Sequence, residues 1–130
     1  MKLSIIIPHH NGKKLLHDCL QSIYHNILID SFEIIVVDNL STDDSAEEAK
    51  RNFPSIVLLK SEKNLGYSGG CNLGAKNAVG KYVIFLNNDT IHTKNWTEEL
   101  INFLDKNPHA GAAQPKILNA INKDTFDYAG

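Results

Sequence analysis

Glu33-Ile34-Ile35-Val36-Val37-Asp38-Asn39 decides the fold class. Its core is an unbroken β-branched run with no polar residue alternating through it, the pattern of a strand buried on both faces. Such strands belong to parallel sheets covered by helices on either side. The run stops at Asp38-Asn39, where turn chemistry begins. Upstream, Leu3 to Pro8 is a similar apolar run ended by proline. Between the two, Leu16, Cys19, Leu20, Ile23 and Ile27 recur at helical spacing and predict a helix from Lys13 to Asn26.

Downstream the alternation continues. Ser41-Thr42-Asp43-Asp44 supplies helix-start chemistry, with Ser41 or Thr42 the expected cap and Ala46, Ala49 and Phe53 the buried stripe, before Pro54 ends the helix. Ile56 to Leu59 reads as a third strand. Asn64-Leu65-Gly66-Tyr67-Ser68-Gly69-Gly70 is a turn-rich loop, followed by a helix from Ser68 to Val79 with small residues Cys71, Ala75 and Ala78 on one face. Gly80 closes it, and Lys81 to Leu86 is a fourth strand. Trp96, Leu100, Phe103 and Leu104 mark a fourth helix that stops at Asn107-Pro108, and Ala110 to Leu118 reads as a fifth strand interrupted by Pro115. The class is therefore α/β: a mostly parallel, Rossmann-like sheet in expected order 3-2-1-4 with helices on both faces.

At 130 residues the chain is one domain, 1–130. It stops at Asp127-Tyr128-Ala129-Gly130 without a closing helix, which suggests a cut through a larger domain. With 42% hydrophobic residues it can build a core, and disorder is excluded. Thirteen Lys+Arg against 15 Asp+Glu leave a net charge of −2, no basis for a general nucleic-acid partner. No apolar run approaches the ~18 residues of a spanning helix, so no transmembrane segment is expected. The N-terminal apolar stretch is too short for a signal peptide, so the expected location is the cytoplasm, or the periphery of the membrane's inner face. Cys19 and Cys71 are too few for a disulfide framework and read as buried free thiols. His17 and His25 read as solvated, and Trp96 as packing.

In open α/β sheets ligands bind beyond the carboxyl ends of the strands, at the switch in strand order. Here those ends carry Pro8-His9-His10-Asn11-Gly12, Asp38-Asn39, Ser61 to Gly66 and Asn87-Asn88-Asp89, all polar. With order 3-2-1-4 the first and last of these loops flank one crevice and Asp38 lies beside it. Three generic nucleotide signals are absent. No G-x-G-x-x-G follows strand one, Gly74 to Lys81 has the wrong spacing and ends a helix, and histidines stand where a receiver domain has acids.

The chain resembles the family 2 glycosyltransferases over nearly its whole length. Ser4-Ile5-Ile6-Ile7-Pro8-His9-His10-Asn11 is similar to that family's apolar run and P-T-Y-N. Glu33 to Ser45 resembles E-I-I-V-V-D-N-x-S-x-D-x-S, and Asn64 to Gly74 resembles N-x-G-x-x-x-x-x-N-x-G. Leu86-Asn87-Asn88-Asp89-Thr90 falls at the D-x-D position, in the form nearest the rhamnosyltransferase-like branch. The resemblance implies a GT-A fold and transfer of a sugar, with inversion, from a nucleotide-diphosphate donor (UDP- or dTDP-linked) to a hydroxyl of a glycan or lipid-linked acceptor, in cell-wall, polysaccharide or lipopolysaccharide synthesis. It implies that Asp38 accepts a base N–H, with Asn39 beside it, and that Pro8, His9, His10 and Asn11 pack on the base. It places Asn64, Gly66 and Asn72 at the donor, Asn87 and Asn88 near the ribose, and Asp89 on Mg²⁺ or Mn²⁺. One aspartate can suffice for such an ion when phosphates and water supply the rest.

The chain departs from the family pattern in three ways. The first D-x-D carboxylate is replaced by Asn87, the tyrosine by His10, and the general base that an inverting transferase needs falls in the family's later half, beyond Gly130. Asp124 and Asp127 stand where the acceptor side would begin and read as structural. Two alternatives stay open: a non-catalytic nucleotide-sugar-binding or interaction module, and a sugar-phosphate nucleotidylyltransferase, which wants a Gly-rich basic loop after strand one.

Overall fold

The computed structural model describes residues 1–128, and side chains through residue 125. The side chain of Asp127 and residues 129–130 lie outside the described residues. Four strands form one parallel sheet: β1 (Leu3–His9), β2 (Phe32–Asp38), β3 (Val57–Lys60) and β4 (Tyr82–Phe85), in order β3-β2-β1-β4. The central pair is in register from Leu3 opposite Phe32 to His9 opposite Asp38. Because both strands are apolar on every residue from Ile5 to Ile7 and from Ile34 to Val37, each has two faces to bury.

Helices α1 (Lys13–Asn26), α2 (Ser45–Asn52) and α4 (Trp96–Lys106) cover one face, where Leu3, Ile5, Ile7, Ile34 and Val36 meet Leu16, Cys19, Leu20, Ile23, Ala49 and Ile101. Helix α3 (Gly66–Asn77) covers the other, over Ile6, Ile35 and Val37. It sits close because Gly74 has no side chain: a Cβ there would lie 2.4 Å from Ile6 Cγ2. Gly74→Ala is therefore expected to cost about 1–3 kcal/mol through overpacking, read as a lower urea midpoint at unchanged m-value.

Three expectations need correction. Helix α2 starts at Ser45 with Asp44 (φ 50°) before it, and neither Ser41 nor Thr42 caps it. Those groups are spent on the β1 loop: Ser41 Oγ accepts the Asn11 N–H (3.0 Å), and Asn11 Oδ1 accepts the Thr42 N–H (2.8 Å). Helix α3 begins two residues before Ser68, because Asn64 Oδ1 accepts the Gly66 N–H at 2.9 Å and Gly66 takes φ +69° to enter the helix. The stretch from Ala110 to Leu118 adds no strand to the main sheet. Only β5 (Ile117–Leu118) is extended and paired, antiparallel to β6 (Phe126–Tyr128), in a separate hairpin. Pro115 has no N–H to give a ladder, and the turn at Asn119 and Asn122 supplies β5 with a local partner.

Both cysteines are buried free thiols. His25 is exposed, whereas His17 is half-buried against the Phe53 ring at 5.4 Å. Trp96 packs against the core, with the His92 ring tilted against it at 4.1 Å. Among the described residues no helix is long and apolar enough to cross a membrane.

Candidate functional site

All four strands end on one edge, and the loops after β1, β2, β3 and β4 converge there. They enclose a cleft of about 360 Å³ lined by Pro8, His9, His10, Asn39, Asn64, Gly66, Tyr67, Asn87, Asn88 and Asp89. The cleft lies over the switch point, since the chain steps outward from β1 to β2 and β3 on one side and then crosses back to place β4 on the other side of β1. Nine of these ten lining residues were expected from the sequence.

Asp38, Asn11 and Asn72 are not among them. Asp38 is buried and its Oδ1 accepts the Ser41 N–H at 3.0 Å, so its carboxylate folds the loop after β2. The residue after β2 that reaches the wall is Asn39. Its Nδ2 donates to the Gly66 carbonyl (3.0 Å), which ties the β2 loop to the start of α3, while its buried Oδ1 has no protein partner. Asn11, at φ 56°, spends its side chain on Thr42 and its carbonyl accepts from Asn88 Nδ2 (3.4 Å), so it supports the cleft from behind. Asn72 is exposed on α3, away from the lining.

Tyr67 is the lining residue that sequence reasoning missed. It lies in the first turn of α3, half exposed, and burial first, then Cys71, pushes its phenol up to about 12, so it stays neutral. The available signal was an aromatic residue set in a Gly- and Asn-rich loop. His10 donates from Nδ1 to the Asn39 carbonyl (2.8 Å), which fixes its ring at the mouth.

The turn at Asn87–Thr90 is held from below. Thr90 Oγ1 donates to the Asn87 carbonyl (3.0 Å), and the Cys19 thiol lies 3.8 Å from the same carbonyl. His92 Nε2 meets Thr90 Oγ1 at 3.0 Å, and the His92 main chain is tied to Ser22 and Asn26 of α1. Burial lowers His92 from 6.5 to about 4. The fold thus prefers neutral imidazole, so this contribution is full above pH 6.5 and is lost as pH falls toward 4. We expect unfolding free energy to drop by on the order of 2 kcal/mol between pH 7 and pH 4.5 from this group. His92→Gln should flatten that slope in urea titrations at the two pH values.

Among the described residues Asp89 is the one carboxylate lining the cleft, and it is exposed. No group of three or more His, Cys, Asp or Glu side chains that could hold a metal exists among the described residues. The donor set therefore fits a hard cation shared with a ligand's oxygens and does not fit an all-protein metal site.

A parallel sheet in order 3-2-1-4, covered on both faces by helices, is an α/β domain of GT-A type. The chain belongs to glycosyl transferase family 2, whose model matches residues 4–128. It is 34% identical over 110 residues to an uncharacterised glycosyltransferase of Rickettsia conorii, covering 82% of this chain and 18% of that protein. It is 31% identical over 110 residues to the poly(ribitol-phosphate) beta-N-acetylglucosaminyltransferase TarS of Staphylococcus aureus, covering 82% of this chain and 19% of TarS. The crystal structure of S. aureus TarS 1-349 in complex with UDP-GlcNAc superposes with a TM-score of 0.74 at 27% identity, over 91% of this chain and 38% of that one. The chain thus spans about a fifth to two fifths of the length of such relatives.

Proposed function

We propose that the chain forms the donor-binding part of a glycosyltransferase that takes a sugar from a UDP- or dTDP-linked donor and passes it, with inversion, to an acceptor hydroxyl in glycan synthesis. The observation that carries this reading is the cleft itself. Neutral amides, two histidines and an aromatic ring line it, with the exposed carboxylate of Asp89 among them. The Asp38 carboxylate, whose Oδ1 holds the loop after β2 through the Ser41 N–H, is the acceptor for the imide N–H of uracil or thymine, and Asn39 ties that loop to the start of α3. His10 and Tyr67 flank the base. Asp89 would hold Mg²⁺ or Mn²⁺, which would supply neutralising charge for the departing nucleoside diphosphate.

In the reaction the acceptor oxygen attacks the anomeric carbon as the bond from that carbon to the phosphate oxygen breaks. The acceptor proton goes to a general base, which we assign outside the described cleft residues, because Asp89 is engaged at the diphosphate. A non-catalytic nucleotide-sugar-binding module is the second reading, favoured by the single carboxylate in the cleft. The nucleotidylyltransferase reading has no support from the lining, which contains no Lys or Arg.

Calorimetric titration with UDP, dTDP, GDP and ADP tests the donor class. Only the two pyrimidine diphosphates are expected to bind, and Asp38→Ala should weaken them about ten- to 150-fold, the worth of one hydrogen bond to a charged group. Equal affinity for all four, or no change in Asp38→Ala, would remove the base assignment. Release of labelled sugar onto an added acceptor separates the transferase from the binding module.

A further inference from the structure

His9 stands at the end of β1, 1% exposed, in the cleft wall, where both its ring nitrogens are engaged. Nε2 lies 2.6 Å from Ser45 Oγ and Nδ1 lies 2.9 Å from Asn88 Nδ2. Ser45, also 1% exposed at the start of α2, gives its own hydroxyl proton to Asp43 Oδ1 in a short hydrogen bond. Asp43 Oδ2 accepts the Gly12 N–H at 2.8 Å. These contacts join the loops after β1, β2 and β4 in one chain of hydrogen bonds, and that chain has a direction.

The direction follows from donor and acceptor inventory alone. An ionised carboxylate can only accept, so Asp43 draws the Ser45 proton. Ser45 Oγ is then left as an acceptor toward His9, which must present N–H at Nε2. A neutral imidazole with its proton on Nε2 has a bare Nδ1, and a bare Nδ1 takes an N–H from Asn88. With its NH₂ committed to His9 and to the Asn11 carbonyl, Asn88 has its oxygen left for the cleft.

We propose that His9 is a positioning residue that, through this relay, fixes the Asn88 amide with its oxygen offered to the cleft beside Asp89, as an acceptor for a ribose hydroxyl of the nucleotide. This deepens the nucleotide-binding reading and rests on it for the identity of the ligand. An amide oxygen there accepts from a hydroxyl, which can donate. It has nothing to give a phosphate oxygen, which can only accept, so the relay sorts ribose from phosphate along the cleft. The surroundings agree with the neutral ring. Burial is the largest influence on His9 and lowers its affinity for a second proton, against the carboxylates of Asp38 and Asp43, with His10 acting in the same sense as burial. Asp43 itself is held down at about 2, first by the Ser45 hydroxyl, and stays an acceptor throughout the neutral range.

The ring nitrogens report the relay directly. In long-range proton–nitrogen spectra of the ligand-free chain at pH 7, His9 is expected to show a protonated Nε2 and a bare Nδ1, with a coupling across the hydrogen bond to Asn88 Nδ2. Ser45→Ala, which removes only a buried hydroxyl outside the cleft, should mix the tautomers and weaken uridine about three- to tenfold while inorganic pyrophosphate binds as before. Thermal melting of the variant establishes that it is folded. A wild-type ring protonated on Nδ1 overturns the proposal, and so does equal weakening of uridine and pyrophosphate, or of neither. Should the wild type bind neither UDP nor uridine, the nucleotide reading and the ribose contact both fall, while the tautomer of the ligand-free ring still decides the relay.

Discussion

Asp89→Asn is expected to abolish the coupling between divalent metal and nucleotide while leaving the fold intact. Asp89 is exposed in a strand-end turn, so its side chain contributes little packing. It is also the one carboxylate among the described residues lining the cleft, so Mg²⁺ or Mn²⁺ held there would need further oxygen ligands, which a nucleoside diphosphate and water would supply. Metal and UDP should then tighten each other by the same factor, about 5–150-fold for coupling of ordinary size. Titrating UDP into the wild type with Mn²⁺ and again with chelator measures that factor, and the variant should give one affinity in both. Coupling that survives Asp89→Asn would make Asn87-Asn88-Asp89 a plain turn.

Ile5→Ala should cost about 2–5 kcal/mol, the usual range for removing a fully buried aliphatic side chain. Ile5 is 0% exposed on β1, in register with Ile34 on one side and Ile84 on the other. It belongs to the larger of the two cores, beneath the helices on that face, where relaxation into the void is restricted on every side. Against a total stability of about 5–15 kcal/mol, the loss should be evident in urea unfolding followed by far-UV circular dichroism. A change under 1 kcal/mol would mean that this face of the sheet is not packed as described.

The sheet could be read from the sequence because the information is local. Ile34-Ile35-Val36-Val37 is apolar at both alternations, which is satisfied only between two layers of helix. Order 3-2-1-4 then brought the polar strand ends to one edge, and Pro8, His9, His10, Asn39, Asn64, Gly66, Asn87, Asn88 and Asp89 do line one cleft. The start of α2 was misread because distant contacts claim its expected cap. Ser41, Thr42 and Asp43 have the side chains of a helix start, but contacts to Asn11 and Gly12, about thirty residues away in sequence, use those groups first.

What the sequence by itself determined is the layer architecture and the set of loops that meet, since both follow from periodicity and strand ends. Only the tertiary structure decided the role of each polar side chain within those loops. Asp38 and Asn39 are neighbours of similar shape, yet one folds its own turn and the other lines the cleft and ties the β2 loop to the start of α3. His9 and His10 are identical residues, yet one is sealed between Ser45 and Asn88 and the other stands exposed at the mouth. A hydrogen-bonding group's role depends on which partner reaches it first, and that is fixed by packing between distant segments.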